Sequence, residues 1–296
     1  MSTWVLLTIT GLGLGAMYFL IASGLSLIYG LMGVLNFAHG AFITVGAYAS
    51  WWMSVHAFGD IHSVLVRFLL GAVCGLVAGA VFAALVELVL IRPLYQRHIE
   101  QVLVTVGLSI AFVALVEGIW GPDARAYPAP SWLRDTTTIA GASIPNDRFV
   151  EIATAAAVLL LLQLFLRRTR YGLIIRAGVE NRAMVTALGI DVRKAFTLVF
   201  AIGGIAAAVA GVLSGVYFTT IDPSQGTSLL IFAFIVVVIG GLGSITGSAA
   251  AAVLVALVQQ YVNYYASAGI GDLSVVLLLA IVLLARPGGL VSAAHA

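Results

Sequence analysis

Charge is scarce in this chain. Of 296 residues, 14 are Lys or Arg and 12 are Asp or Glu, and the first charged side chain is Asp60. A water-soluble fold of this length needs a polar surface that so few charges cannot supply. The net charge of +2 is small and dispersed, which argues against nucleic acid as a partner. Cysteine is nearly absent. Cys74 stands alone in an apolar run, so there is no disulfide framework and no thiolate metal cluster, and a small buried packing role is expected of it. Lysine occurs once, as Lys194, and no Gly-x-x-x-x-Gly-Lys-[Ser/Thr] loop is present. Without that phosphate cradle the chain has no ATPase motif of its own, and energy for an active process must come from a partner or an ion gradient. No cofactor site is expected. No second His, Cys or carboxylate lies at metal-ligand spacing from His39. No paired catalytic constellation stands at membrane depth, which argues against an intramembrane enzyme.

What the sequence has in abundance is apolar residues, 62% of the chain. A membrane span needs roughly 20 of them in succession. Nine spans are expected, near 4–29, 34–56, 64–91, 102–120, 149–166, 195–218, 229–243, 248–265 and 273–285. Residues 1–29 lack a basic n-region and run too long for a signal h-region, so they read as a retained span. The fold class is therefore all-α: a polytopic membrane protein, a single domain over 1–296, with eight or nine transmembrane helices and glycine-broken segments. The count turns on two uncharged stretches, Gly30 to Gly33 and Gly240 to Gly247. Each reads as a short turn or as a helix broken at membrane depth, where bare backbone is tolerated only against protein or a wet cavity.

Basic residues set the orientation. Arg92 and Arg97 share one loop; Arg167, Arg168, Arg170, Arg176, Arg182, Arg193 and Lys194 share another; Arg286 opens the tail. With these in the cytoplasm, 167–194 is a cytoplasmic loop and 121–148 a periplasmic one. The outer loops then hold Asp60, Asp123, Asp135, Asp147, Asp222 and Asp272 against Arg67, Arg125, Arg134 and Arg148. Trp4, Trp51, Trp52 and Trp120 fall at outer span ends, where indoles favour the interface. Glu87 and Glu117 are read as the only carboxylates inside span limits. Each lies near a span end, where snorkelling or local pairing, for Glu87 with Arg92, accounts for it better than a proton relay.

Small residues recur at four-residue spacing, at Gly71, Gly75 and Gly79 and again at Gly203, Ala207, Gly211 and Gly215. That spacing lines one helix face and favours close packing within the chain. Asn36 and His39 stand three apart in Asn36-Phe37-Ala38-His39-Gly40, so a helix there would put both on one face. They read either as a pathway element or as groups bonded to neighbouring helices. From Val179 onward, Ala183, Met184, Ala187 and Leu188 form an apolar stripe, with Glu180, Asn181 and Arg182 beside it. Gly189 suits the end of that helix, and Asp191 the start of the next. Such a short amphipathic helix either docks in a partner's groove or lies on the lipid surface.

Four of these motifs together resemble the permease family of branched-chain amino acid ABC importers, of the LivH type. They are Asn36-Phe37-Ala38-His39-Gly40 with Gly46-Ala47-Tyr48; Glu180-Asn181-Arg182 leading to Ala187-Leu188-Gly189-Ile190; Gly240-Gly241-Leu242-Gly243-Ser244 with Gly247; and Arg286-Pro287-Gly288-Gly289-Leu290. They occur in the family's order over nearly the whole chain. The resemblance implies a non-catalytic inner-membrane subunit that imports branched-chain or other small hydrophobic amino acids by alternating access. It implies a second related permease, two ATP-binding cassette subunits and a periplasmic solute-binding protein as partners. It casts Glu180, Asn181, Arg182, Ala183, Ala187, Leu188 and Gly189 as the ATPase-coupling element. The pathway is expected along the glycine-broken segments, at Asn36, Phe37, His39, Gly40, Gly240, Gly241 and Gly243. The rival reading is a secondary transporter or facilitator of small polar solutes such as amides or urea, working without ATPase partners.

Overall fold

A computed structural model describes residues 2–33, 35–180, 184–185, 189, 192–267 and 269–291. The chain is a helical bundle. Its helices are α1 (Ser2–Met32), α2 (His39–Trp52), α3 (Val64–Val86), α4 (His98–Trp120) and the short α5 (Ser131–Arg134). They continue with α6 (Asn146–Arg168), α7 (Arg170–Glu180), α8 (Val192–Phe218), α9 (Gln225–Gly240), α10 (Ile245–Tyr265) and α11 (Ile270–Ala285). Single π-helical turns extend α2 over Met53–Ala57 and α3 over Glu87–Ile91. By length and composition, six helices among the described residues can cross a membrane: Ser2–Gly30, Val64–Leu94, His98–Trp120, Asn146–Arg168, Val192–Phe218 and Ile245–Tyr265. Gln225–Gly240 and Ile270–Ala285 are apolar but shorter. These, with the segment that contains α2, match the expected spans to within a few residues.

The helix order makes two ends. At one end Met32, Tyr95 and Ile174 pack around Val185, Val192 and Phe196, among the arginine-rich segments. At the other, Trp4 meets Tyr261 and Tyr265 at tilted ring contacts, and the loop after α4 folds into small strands. There β1 (Arg125–Ala126) pairs antiparallel with β4 (Thr220–Ile221), and β2 (Thr136–Ile139) with β3 (Ala142–Pro145). Trp52 is exposed at this end, as an interfacial indole should be. Trp51 instead turns inward to a second core cluster with Tyr48, Val116 and Tyr127. Burial pushes the Tyr127 phenol upward in pKa, so it stays protonated and exchanges a hydrogen bond with Ser50 Oγ at 2.7 Å.

The core is built on α8, held by α1, α2 and α3. Its glycines and alanines let backbones touch. A Cβ at Gly203 would lie 3.3 Å from the carbonyl oxygen of Gly24, and one at Gly46 would lie 2.6 Å from the Cβ of Ala208. On α3, Gly71, Gly75 and Gly79 meet Ser54, Ser50 and Ala208. The stripes of small residues therefore serve packing within the chain, as their spacing indicated. Cys74, one residue off that stripe, is half-buried rather than fully enclosed.

Both glycine-rich stretches are chain reversals at the basic end. Gly33, at φ +64, closes α1 by donating its N–H to Tyr29 O at 2.8 Å. Gly241, at φ +100, ends α9, and Ser244 caps α10 by accepting from Gly247 N at 3.0 Å. Only glycine takes these left-handed angles freely. The tail then returns to the same point: Leu290 N donates to Ile239 O at 2.8 Å and Val291 N to Gly240 O at 3.2 Å. The free carbonyls at the end of α9 are thereby satisfied by protein.

Candidate solute pathway and coupling segment

The second span does not begin as a helix. A continuous helix through Asn36 and His39 was the condition for placing both on one face. The structure corrects it: α2 starts at His39, and Asn36 lies before it in a turn. Asn36 Oδ1 accepts from Ala38 N at 3.1 Å, and its carbonyl accepts from His39 N at 3.2 Å. This is asparagine's usual competition with the helical backbone. The consequence is depth. His39 Nε2 reaches Ile21 O at 3.1 Å, about 16 Å along α1 from Met32 at the α-helical rise. Residues 35–38 therefore lie beside α1 as non-helical backbone, and the chain becomes helical only well inside the bundle.

At this level several sequence-predicted residues come together. Asn36 and His39 are fully buried, and among the described residues neither Asn36 Nδ2 nor His39 Nδ1 has a hydrogen-bond partner. Phe37 stacks on Phe234 of α9, with ring centroids 5.3 Å apart and planes 17° off parallel, and its N–H donates to Thr105 Oγ1 at 3.3 Å. Gly40 meets the first turn of α9: its Cβ would stand 2.9 Å from Gly226 O. Two helices thus begin back to back inside the bundle, α2 running toward the acidic end and α9 toward the basic end. Gly240, Gly241 and Gly243 are elsewhere, at the basic end. They press on Gly247, on Gly288 and Val291 of the tail, and on Gly30.

The segment expected to couple is described in part. α7 ends at Glu180, whose side chain lies outside the described residues, together with Asn181, Arg182, Ala183, Ala187, Leu188 and Asp191. Of the expected stripe, Met184 is exposed. Its neighbour Val185 is the buried contact, set against Val192 and Phe196. Gly189 is at φ +79, the left-handed angle of a helix-ending glycine.

Two polar clusters flank these regions. At the basic end Glu87, fully buried at the first residue of the π turn, accepts from Arg92 Nε and Nη2, both at 3.3 Å. Thr197 Oγ1 of α8 donates to it at 2.7 Å, and Tyr95 Oη also donates. Burial and the adjoining carboxylate raise the Tyr95 pKa. Local pairing is thus the arrangement of Glu87, with no snorkelling to the surface. Near the other end lies a carboxylate that the sequence reading passed over. Glu151, 1% exposed, sits inside α6 with Asp147, both paired to Arg148. The Arg148 guanidinium lies 3.5 Å over the Tyr217 ring. Glu87 and Glu117 are therefore not the only carboxylates within span limits. The three-residue interval from Arg148 to Glu151 was the available signal. Among the described residues no cluster of His, Cys, Asp or Glu could hold a metal.

Composition, the six long apolar helices and the shorter broken ones define a polytopic α-helical membrane protein. The family model described as the permease component of the branched-chain amino acid transport system matches residues 7–286. The LivH permease protein of Escherichia coli strain K12, of a high-affinity branched-chain amino acid transport system, is 32% identical over 292 residues, covering 95% of this chain and 92% of its own. Its Salmonella typhimurium counterpart is 31% identical over the same length and shares. BraD of Pseudomonas aeruginosa, also a high-affinity branched-chain amino acid permease protein, is 29% identical over 289 residues, 95% of this chain and 94% of its own. No solved structure gives a significant match. The chain belongs to the branched-chain amino acid transport permease family.

Proposed function

We propose that this chain is the transmembrane permease subunit of an ATP-driven importer. Its solutes are branched-chain or other small hydrophobic amino acids, carried across the inner membrane by alternating access. The observation that carries the reading is family membership over nearly the full length, in a chain with no phosphate-binding loop. ATP hydrolysis then falls to two cytoplasmic ATP-binding cassette subunits. A second related permease completes the membrane part, and a periplasmic binding protein delivers the solute. The whole chain acts as one permease domain, with 167–194 in the cytosol and 121–148 outside.

In this reading Glu180 to Gly189 is the docking element, and the exposed thioether of Met184 offers it an apolar contact. Asn36, Phe37, His39 and Gly40 stand where non-helical backbone meets two helix starts. Their unpartnered Nδ2 and Nδ1 atoms are groups a passing solute or its water can satisfy. Gly240, Gly241 and Gly243 contribute as the joint at the inner mouth of the pathway, where α9, α10 and the tail meet α1. Closure of the ATPase subunits would move the docked segment and tilt the bundle between two states.

The test is affinity capture of the tagged chain from its native membranes. Two ATP-binding subunits and a related permease should co-purify. Replacing Glu180 and Arg182 together should release the ATPase subunits and abolish uptake. Uptake that survives this double replacement, with ATPase assembly intact, would remove the docking role.

A further inference from the structure

Glu87 is held by more groups than an ion pair to Arg92 requires, and those groups come from both the α3–α4 connection and α8. Arg92 follows the π turn that Glu87 begins. Tyr95 lies in the loop before α4. Thr197 stands on α8, in the second turn after the coupling segment. Arg92 Nη2 donates to Thr197 Oγ1 at 2.7 Å as well as to the carboxylate, so carboxylate, guanidinium and hydroxyl close a three-membered ring. A network closed around a buried carboxylate is stiff, because loosening its bonds leaves the Glu87 charge unpaired in a poorly solvated site.

The network also touches the coupling segment at one remove. The Tyr95 ring meets Phe196 edge-on, with centroids 5.6 Å apart and planes 88° apart. Phe196 packs with Val192 and with Val185, while Met32 of α1 leans on the same cluster. The described contacts therefore run from Val185 through Phe196 to Tyr95 and Glu87. There they enter α3 at a π turn, a helix irregularity that often marks functional sites. From α3 they reach α2 and α8 through the glycine stripe.

We propose that Glu87 is the positioning residue of a polar joint, formed with Arg92, Tyr95 and Thr197, that passes movement of the segment around Val185 into α3. This rests on the docking role of that segment given above. Contacts in series make a transmission path only if both ends respond together, so the test reads both.

The experiment uses the assembled transporter in proteoliposomes with ATP, comparing Glu87→Gln, Tyr95→Phe and Thr197→Val with wild type. The ATPase subunits should co-purify in wild-type ratio with each variant. Basal ATP hydrolysis should hold, while solute moved per ATP falls about ten-fold, within the usual range of coupling between sites. An unchanged ratio of solute to ATP would overturn the joint. So would disappearance of all three variants from the membrane, since that marks Glu87 as folding support only. A second readout needs the permease alone. Val185→Ala should raise amide exchange over 87–94 as well as at the start of α8, and unchanged exchange in that π turn overturns the link. Failure of the docking role itself would appear elsewhere, as ATPase subunits that stay bound when Glu180 and Arg182 are replaced together.

Discussion

Arg148 shows how much one residue carries in this bundle. It pairs with two buried carboxylates, Asp147 and Glu151, and it covers the ring of Tyr217. The groove that admits it is made by Gly13, where a Cβ would stand 2.7 Å from Arg148 Cδ. Arg148→Ala leaves both carboxylates buried without compensation, and a loss of about 3–5 kcal/mol is expected for a broken buried pair. Thermal unfolding in detergent measures it, and Arg148→Ala combined with Glu151→Gln should recover part of the loss. His39 is the opposite case. Its ring is fully buried, yet one nitrogen has no partner, so packing alone does not explain a polar residue there. His39→Leu should cut uptake while leaving the amount of protein in the membrane unchanged. A fall in protein instead would assign His39 to packing.

Among the elements, the seams between α2, α3 and α8 are set by missing side chains. At Gly46 an added Cβ would meet the Cβ of Ala208. Gly46→Leu should drive α2 from α8 and lower the membrane level of the protein, since overpacking commonly destabilises by about 1–3 kcal/mol even where neighbours can shift. Gly107, with open space around it, is the matched control: Gly107→Ala should be neutral. The elements differ in how readable they were. The long helices were legible because about 20 apolar residues have few other uses, and the small-residue stripes were legible from their four-residue period. The break before α2 was not. Residues 35–42 are apolar enough to continue a helix, and hydropathy does not distinguish a helix at membrane depth from extended backbone packed on protein. The cues were local: Gly33, free to take φ +64, and Asn36, whose side chain folds back to accept from Ala38 N. Trp51 stands at the span end the sequence indicated, but nearness to a span end does not say which face the indole takes, and it faces inward.

For the molecule as a whole, the arginine distribution, the family membership and the two structural ends tell one story. The Gly240 turn, the tail from Arg286 and the end of α1 meet where the basic segments lie. The polar joint of Glu87 and the hydrophobic contact of Val185 stand at that same end, which is where a motor from the cytosol would act. The residues proposed to line a pathway are well above it, inside the bundle. Sequence could name both regions but not the distance between them, because depth depends on where α2 begins. The bundle is proposed to have no motor of its own and to be driven through the segment ending at Gly189. The direct measurement is leucine accumulation in proteoliposomes holding either this chain alone under an imposed ion gradient, or the full assembly with ATP. Concentration of solute only by the ATP-supplied assembly is the predicted result; uphill accumulation by the single chain on the ion gradient would contradict it.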